Sequence, residues 1–192
     1  MRYELDGRVD YFTPDGHRLR RAFIRTPVKF ARISSGFSKR RKHPILHRFR
    51  AHKGVDYAAP RGTPIRATGD GRIKSIGYQR GYGKTIVLQH GSGNYTTLYA
   101  HMSRFAKGMH KGGRVQQGQT IGYVGSTGQA TGPHLHYEFR VNGVHRNPLT
   151  VPLPRTLGLS KAERVKFRAK SRRILSRLAS AGSTTLAQAD VN

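Results

Sequence analysis

The segment Gly132-Pro133-His134-Leu135-His136-Tyr137-Glu138-Phe139 alternates polar with apolar side chains after a Gly/Pro turn. This pattern predicts a short β-strand. Because successive side chains of a strand point to opposite faces, His134 and His136 share one face, while Leu135 and Tyr137 share the other. Two adjacent imidazoles can bind a metal ion and transfer a proton beside it. Taken alone the pattern is weak evidence, because two histidines on a solvated strand face are commoner than a metal site.

Two upstream segments strengthen the hypothesis of a metal site, namely His52-Lys53-Gly54-Val55-Asp56 and Tyr99-Ala100-His101. The glycine and the β-branched valine of the first segment favour a loop that enters a strand over a helix. In that conformation His52 and Asp56 again lie on the same side of the chain. The sequence therefore predicts three histidine-bearing segments that meet at one place.

The three segments together contain a ligand set that suits zinc. A catalytic Zn²⁺ site takes three nitrogen or oxygen ligands from the protein and keeps one position for water, whose pKa falls to about 7. His52, Asp56 and His136 would supply those ligands. His134 is then placed to transfer a proton, and His101 to orient a group or to donate to a developing oxyanion.

Composition limits the function classes further. The 192 residues include 36 Lys and Arg against 9 Asp and Glu, a formal net charge of +27 that implies an anionic partner: nucleic acid, an acidic wall polymer or an anionic membrane surface. There is no cysteine, which excludes disulfides and thiolate metal sites. No His-Glu-x-x-His is present, which excludes the helical zinc-protease arrangement. Residues 1–30 lack a secretory apolar region, so an export signal would lie outside this chain or have been removed.

The three segments resemble the signatures of the lysostaphin/LytM-type zinc endopeptidases, peptidase family M23. The resemblance covers roughly residues 27–149. It includes the flanking segments Ser35-Gly36-Phe37, His43-Pro44-Ile45-Leu46, Gly54 to Pro64, Gly122 to Gly128, Thr131-Gly132-Pro133 and Asn147-Pro148-Leu149. It implies a mostly β fold, in which a substrate groove lies over an antiparallel sheet of the duplicated hybrid-motif type. It also implies hydrolysis of peptide bonds in the stems or cross-bridges of bacterial peptidoglycan. His52, Asp56 and His136 are then the Zn²⁺ ligands, and His101 and His134 the catalytic histidines.

The predicted organisation places this catalytic domain between two extensions. Ser160-Lys161-Ala162-Glu163 is a capping-box pattern, which predicts the start of a helix. The predicted parts are an N-terminal strand or hairpin extension (1–27), the catalytic domain (28–150), a linker (151–159), a basic amphipathic α-helix (160–179) and a disordered tail (180–192). Residues 1–27 have the character of the end of a longer chain.

Several residues near the predicted site have more than one interpretation. Tyr82 and Gly132 are predicted substrate-binding residues, although sheet packing accounts for Tyr82 equally well. His43 and His47 are interpreted as loop residues at the groove rim and not as further ligands. Glu138 shares the face of the two histidines; it could orient an imidazole, but an ion pair with an arginine is favoured.

A second function class is kept open by the charge. In it the chain is a non-catalytic basic module that binds nucleic acid or an anionic wall polymer and holds a structural zinc. The first hypothesis instead predicts an exported, monomeric enzyme of the periplasm or cell envelope, with peptidoglycan peptide as substrate, an anionic envelope polymer as a further partner and only adventitious binding to nucleic acid. Residues 160–179 could in either case contact a membrane surface.

Overall fold

The computed structural model describes residues 1–192 apart from 6–7, 17–20, 43–48, 92, 155–158, 160 and 190–192, and apart from the side chains of 5, 8, 39–42, 49–50, 161 and 181–189. Its elements in chain order are β1 (Arg2–Leu5), β2 (Arg8–Tyr11), β3 (Arg32–Ser35), β4 (Ser38–Lys42), β5 (Phe49–His52), β6 (Val55–Ala58), β7 (Pro64–Arg66), β8 (Gly71–Gln79), β9 (Gly83–His90), β10 (Tyr95–Phe105), β11 (Arg114–Val115), β12 (Thr120–Val124), β13 (His134–Val141), β14 (Val144–Arg146) and α1 (Lys161–Ala189). The chain divides into a large unit, Phe23–Leu153, and a small unit, Met1–Ala22 with Pro154–Asn192.

The large unit is built on one antiparallel sheet of ten described strands. Its main path runs β11-β8-β9-β10-β13-β6-β3, while β12 pairs with β10 and β7, and β14 pairs with β13. The central strands are buried on both faces, which is why β9 contains the continuous apolar run Ile86-Val87-Leu88. The mostly β, antiparallel fold predicted from the sequence is confirmed.

Strand β13 is the predicted strand of the histidine pair. Leu135, Tyr137 and Phe139 are all buried in the core, and His134 and His136 project from the other face. In the register, Asp56 of β6 stands directly opposite His136. Neighbouring strands therefore bring the first and third histidine segments together.

A β-bulge in β10 changes the direction of the second segment. Tyr99 pairs with Ile86 of β9 but Met102 pairs with Lys84, so β10 has one extra residue over this interval. His101, within the bulge, has a φ of 59°, a left-handed conformation that is uncommon for a residue other than glycine. Such a bulge changes the direction in which a side chain points. The side chain of His101 therefore does not follow the regular alternation of faces along β10.

The small unit contains the β1–β2 hairpin and the helix α1. Its core is formed by Phe12, Leu159 and Phe167, and the ring of Phe167 lies 5.1 Å from that of Tyr3 and 5.4 Å from that of Phe12. The hydroxyl of Ser171 donates to the carbonyl of Pro14 over 3.0 Å. The predicted opening hairpin is present in residues 2–11.

Two boundaries differ from the predicted ones. The helix begins at Lys161 but continues to Ala189, beyond the predicted end near Ala179; residues 181–189 contain good helix formers and no proline, and a single glycine there costs only about 1 kcal/mol. The segment that contains His43 and His47, interpreted from the sequence as a loop, is bounded by the paired strands β4 and β5, which the sequence analysis did not predict. His43, His47 and the capping-box Ser160 lie outside the described residues.

Candidate metal and catalytic site

Three side chains converge where β5, β6 and β13 meet. His52 is the last residue of β5, Asp56 lies in β6 and His136 in β13. Asp56 Oδ1 is 2.8 Å from His136 Nδ1 and 3.1 Å from His52 Nε2, and the two imidazole nitrogens are 3.2 Å apart. These atoms form a group able to hold a metal ion. The structure thus brings the three predicted ligands together.

The protonation of both imidazoles can be assigned from their outer partners. His52 Nδ1 lies 2.6 Å from the carbonyl oxygen of Gly36; because a carbonyl only accepts, this nitrogen carries the proton. His136 Nε2 lies 3.2 Å from the carboxylate of Glu138 and donates to it. The nitrogens that face Asp56, Nε2 of His52 and Nδ1 of His136, are then the ones that would offer lone pairs to a bound cation. Without a cation, a proton on Nδ1 of His136 is donated to Asp56.

The electrostatics of the site also favour a bound positive charge. Burial by itself would raise the pKa of Asp56, but the hydrogen bonds with His136 and His52 hold that pKa well below its usual range. Burial opposes charge on His136, yet Asp56 and Glu138 together raise its pKa to about 9. A metal ion would take the place of the proton on His136, and two imidazole nitrogens with one carboxylate fit the donor set of a catalytic Zn²⁺ site.

A glycine makes the close approach of the ligands possible. A Cβ atom placed on Gly54 would lie 2.4 Å from the carbonyl oxygen of Tyr137 and 2.7 Å from Cε1 of His136. Any side chain there would push β13 away from the segment that joins His52 to Asp56. The glycine in the first histidine segment is therefore required by packing.

Glu138 supports the site from inside the protein. Its side chain is fully buried and accepts hydrogen bonds from the Tyr82 hydroxyl at 2.7 Å, from His136, from Arg140 and from His145 at 3.0 Å. These partners lower the pKa of Glu138 to about 2 although burial opposes it. Glu138 thus pairs with an arginine and also holds the imidazole of His136, so both sequence interpretations of its contacts agree with the structure. Sequence reasoning gave no role to His145, and only its position on the neighbouring strand β14 reveals one.

His101 and His134 lie beside the ligand group. Their ring centroids are 4.7 Å apart, and the ring of His101 is 6.1 Å from that of His136. His134 Nε2 is 4.0 Å from Asp56 Oδ1. Burial lowers the pKa of His101 to about 4, so its imidazole is neutral at neutral pH.

Both of these histidines donate from Nδ1 to a backbone carbonyl. The acceptor is Thr127 for His101, at 2.7 Å, and Gly132 for His134, at 2.8 Å. In the neutral tautomer that this hydrogen bond selects, each ring has its lone pair on Nε2 and can accept a proton there. In this tautomer His101 can donate to an oxyanion only after it has itself taken up a proton.

The two predicted substrate-binding residues lie next to these groups. The ring of Tyr82 is 5.7 Å from that of His136, but its hydroxyl is used by Glu138. Gly132 has open space where a side chain would begin, and its carbonyl holds His134. Substrate binding by both residues stays a prediction.

Comparison with known proteins places these features in a family. The sequence profile of Peptidase family M23 matches residues 50–148. The chain is 43% identical over 173 residues to the peptidoglycan DD-endopeptidase ShyC of Vibrio cholerae, covering 90% of this chain and 39% of ShyC. It is 49% identical over 147 residues to the DD-carboxypeptidase/endopeptidase Mpg of Neisseria meningitidis, covering 77% of this chain and 33% of Mpg. The chain thus spans only about a third to two fifths of the length of these curated relatives.

Solved structures of peptidases share the fold of this chain. A zinc-containing peptidase from Vibrio cholerae superposes with a TM-score of 0.66 at 37% identity, covering 76% of this chain and 47% of that one. The catalytic domain of lysostaphin from Staphylococcus simulans superposes with a TM-score of 0.55 at 31% identity, covering 62% of this chain and 90% of that domain. Since the family profile matches more than half of the residues and these structures share the fold, the chain belongs to peptidase family M23.

Proposed function

We propose that this chain carries the catalytic site of a zinc-dependent endopeptidase that hydrolyses peptide bonds in the stems or cross-bridges of bacterial peptidoglycan. The observation that carries the proposal is the convergence of the side chains of His52, Asp56 and His136. They lie beside two further histidines, His101 and His134, which donate from Nδ1 and can accept a proton at Nε2. The relatives named peptidoglycan DD-endopeptidases support this substrate class.

His52, Asp56 and His136 would hold Zn²⁺. When bound, the ion supplies Lewis-acid chemistry, polarising the scissile carbonyl and lowering the pKa of water. His134 accepts the proton of the attacking water at Nε2 while Nδ1–H remains bound to Gly132, and later returns that proton to the leaving amine. His101 is held neutral beside it as a second acceptor, which becomes a donor to the developing oxyanion once protonated.

The remaining surface supports a partner of opposite charge. The formal charge of +27 would concentrate the enzyme on an anionic envelope polymer. If peptidoglycan is the substrate, we expect the enzyme to act in the periplasm or cell envelope. The exposed faces of α1 carry seven described basic side chains: Arg164, Lys166, Arg168, Lys170, Arg172, Arg173 and Arg177. Among the described residues, no helix combines the length and apolar character needed to cross a membrane. Contact of α1 with a membrane surface and a monomeric state both stay predictions.

The test is digestion of purified peptidoglycan sacculi by the zinc-loaded protein, with mass analysis of the released fragments. We expect peptide cleavage that a chelator abolishes and added Zn²⁺ restores. The matched variant is His134→Ala, which should keep stoichiometric zinc and the fold but lose hydrolysis by about 100-fold or more. Absence of cleavage by the zinc-loaded protein on sacculi of several cross-link types, with polymer binding that survives the chelator, would support the basic binding module instead.

A further inference from the structure

One loop supplies the acceptors for both proton-handling histidines. Residues 126–133 connect β12 to β13, and the carbonyls of Thr127 and Gly132 in this loop receive Nδ1–H of His101 and His134. The position of this loop therefore decides which nitrogen of each ring is protonated. The loop consists mostly of small residues and contains no strand, so its position depends on contacts with the neighbouring strands.

The Thr127 side chain provides an anchor at the bulge of β10. Its hydroxyl accepts a hydrogen bond from the backbone N–H of Lys84 at 2.9 Å and donates to the carbonyl of Met102 at 2.8 Å. Lys84 and Met102 are register partners across the bulge. The hydroxyl thus links the backbone N–H of one strand to the backbone carbonyl of the other at the bulge.

Two glycines leave the space that this anchor occupies. A Cβ atom on Gly83 would lie 2.4 Å from the backbone carbon, the carbonyl oxygen and the hydroxyl oxygen of Thr127. A Cβ atom on Gly128 would lie 2.4 Å from the nitrogen of Gly83. The backbone of Gln129 donates to the carbonyl of Gly81 over 2.9 Å. The loop and the turn before β9 are therefore packed backbone against backbone, with Thr127 as the side chain between them.

We propose that Thr127 is a positioning residue for His101. Its hydroxyl, inserted between β9 and β10, keeps its own carbonyl against Nδ1 of His101 and so leaves Nε2 as the acceptor in the site. The contribution to catalysis rests on the proposed function, but the effect on the tautomer of His101 does not.

The test compares Thr127→Val, which keeps the shape and removes the hydroxyl, with Thr127→Ser, which keeps the hydroxyl. The readout is the ¹⁵N spectrum of the zinc-loaded protein, in which the His101 signals are identified by their loss in His101→Gln. We expect the wild type and Thr127→Ser to show a protonated Nδ1 and an unprotonated Nε2. Thr127→Val should show a mixture of tautomers at His101, with kcat on peptidoglycan about 100-fold lower and KM little changed, because a small displacement of a reacting group has an effect of this size.

Each outcome decides the question. A folded Thr127→Val protein with the wild-type tautomer at His101, or a wild type with Nε2 protonated, overturns the proposal. If Thr127→Val does not fold, Thr127→Ala removes the hydroxyl without placing a second methyl against Lys84 and Met102, and the same spectrum is read. If the wild type shows the expected tautomer but cleaves no peptidoglycan, the proposed function fails while the positioning role stands.

Discussion

Replacement of Glu138 by glutamine changes the support of the metal site without changing its shape. The buried carboxylate receives donors on both oxygens: His136 and Tyr82 on one, Arg140 and His145 on the other. Glutamine offers a single acceptor oxygen and an NH₂ group, so one pair of donors must face other donors. If the oxygen turns to Arg140, His136 loses the acceptor that keeps its Nε2 protonated and its Nδ1 available as a ligand.

The size of the effect follows from these contacts. Loss of a partner that orients a metal-binding histidine lowers metal affinity about 10- to 100-fold, which corresponds to about 1.4–2.7 kcal/mol of binding free energy. Two hydrogen bonds to a charged group are also lost, and each contributes about 1.5–3 kcal/mol to the free energy of unfolding. We therefore expect Glu138→Gln to be destabilised by about 3 kcal/mol or more even without metal.

The measurement is competition for Zn²⁺ against a chromophoric chelator, together with urea unfolding of the metal-free protein. Glu4→Gln is the matched control, because it makes the same change in charge at an exposed side chain of the small unit and should leave both quantities unchanged. A zinc Kd for folded Glu138→Gln within twofold of the wild-type value would refute the orienting role. Equal loss in Glu4→Gln would show that net charge, and not this contact, sets the affinity.

Three further results are expected. Tyr82→Phe removes the hydroxyl that donates to Glu138, so urea unfolding should show a loss of about 1.5–3 kcal/mol in the free energy of unfolding; a variant as stable as the wild type would argue against a persistent contact. Gly54→Ala should weaken zinc binding and lower the melting temperature, whereas Gly36→Ala, which has nothing within 4 Å, should alter zinc affinity little; equal zinc Kd values in the two variants would contradict the packing argument. Burial lowers the pKa of His90 to about 4. Between pH 6.5 and 4 the imidazole is therefore protonated in the unfolded state but not in the folded state, so the free energy of unfolding falls as the pH drops over this range. The difference in free energy of unfolding between the wild type and His90→Gln, measured by urea unfolding, should fall over that range by up to about 3 kcal/mol. A difference that stays constant with pH would refute this.

The convergence of the three predicted ligands could be expected from the sequence in part, because it depends on local periodicity. Alternation along residues 134–139 places two histidines on one face. His52 ends β5 while Asp56 lies in β6, so their approach depends also on the two residues between these strands. What the sequence could not reveal is which nitrogen of each ring is protonated. Those protons are set by carbonyls such as Gly36 and Thr127, which become neighbours only through strand register and the bulge in β10.

Contacts between strands explain the other omissions. His145 reaches Glu138 from β14, and no spacing rule links those two residues to Tyr82. Helix α1 extends to Ala189 because no residue after Ala179 stops it, while polar composition alone predicted a disordered tail. Strand pairing decides the position of His145, whereas the end of α1 follows from the absence of a residue that stops a helix.

The scarcity of carboxylates has a consequence for metal selectivity. The acidic side chains of residues 23–153 are Asp56, Asp70 and Glu138 alone. Asp70 accepts a hydrogen bond from the backbone of Gln117. Glu138 is buried and hydrogen-bonded to four other side chains. Hard cations such as Ca²⁺ and Mg²⁺ bind through several oxygen ligands, commonly carboxylates, and this unit offers them no second acidic cluster. Millimolar calcium or magnesium in the surroundings should therefore leave the nitrogen-rich centre to softer transition-metal ions.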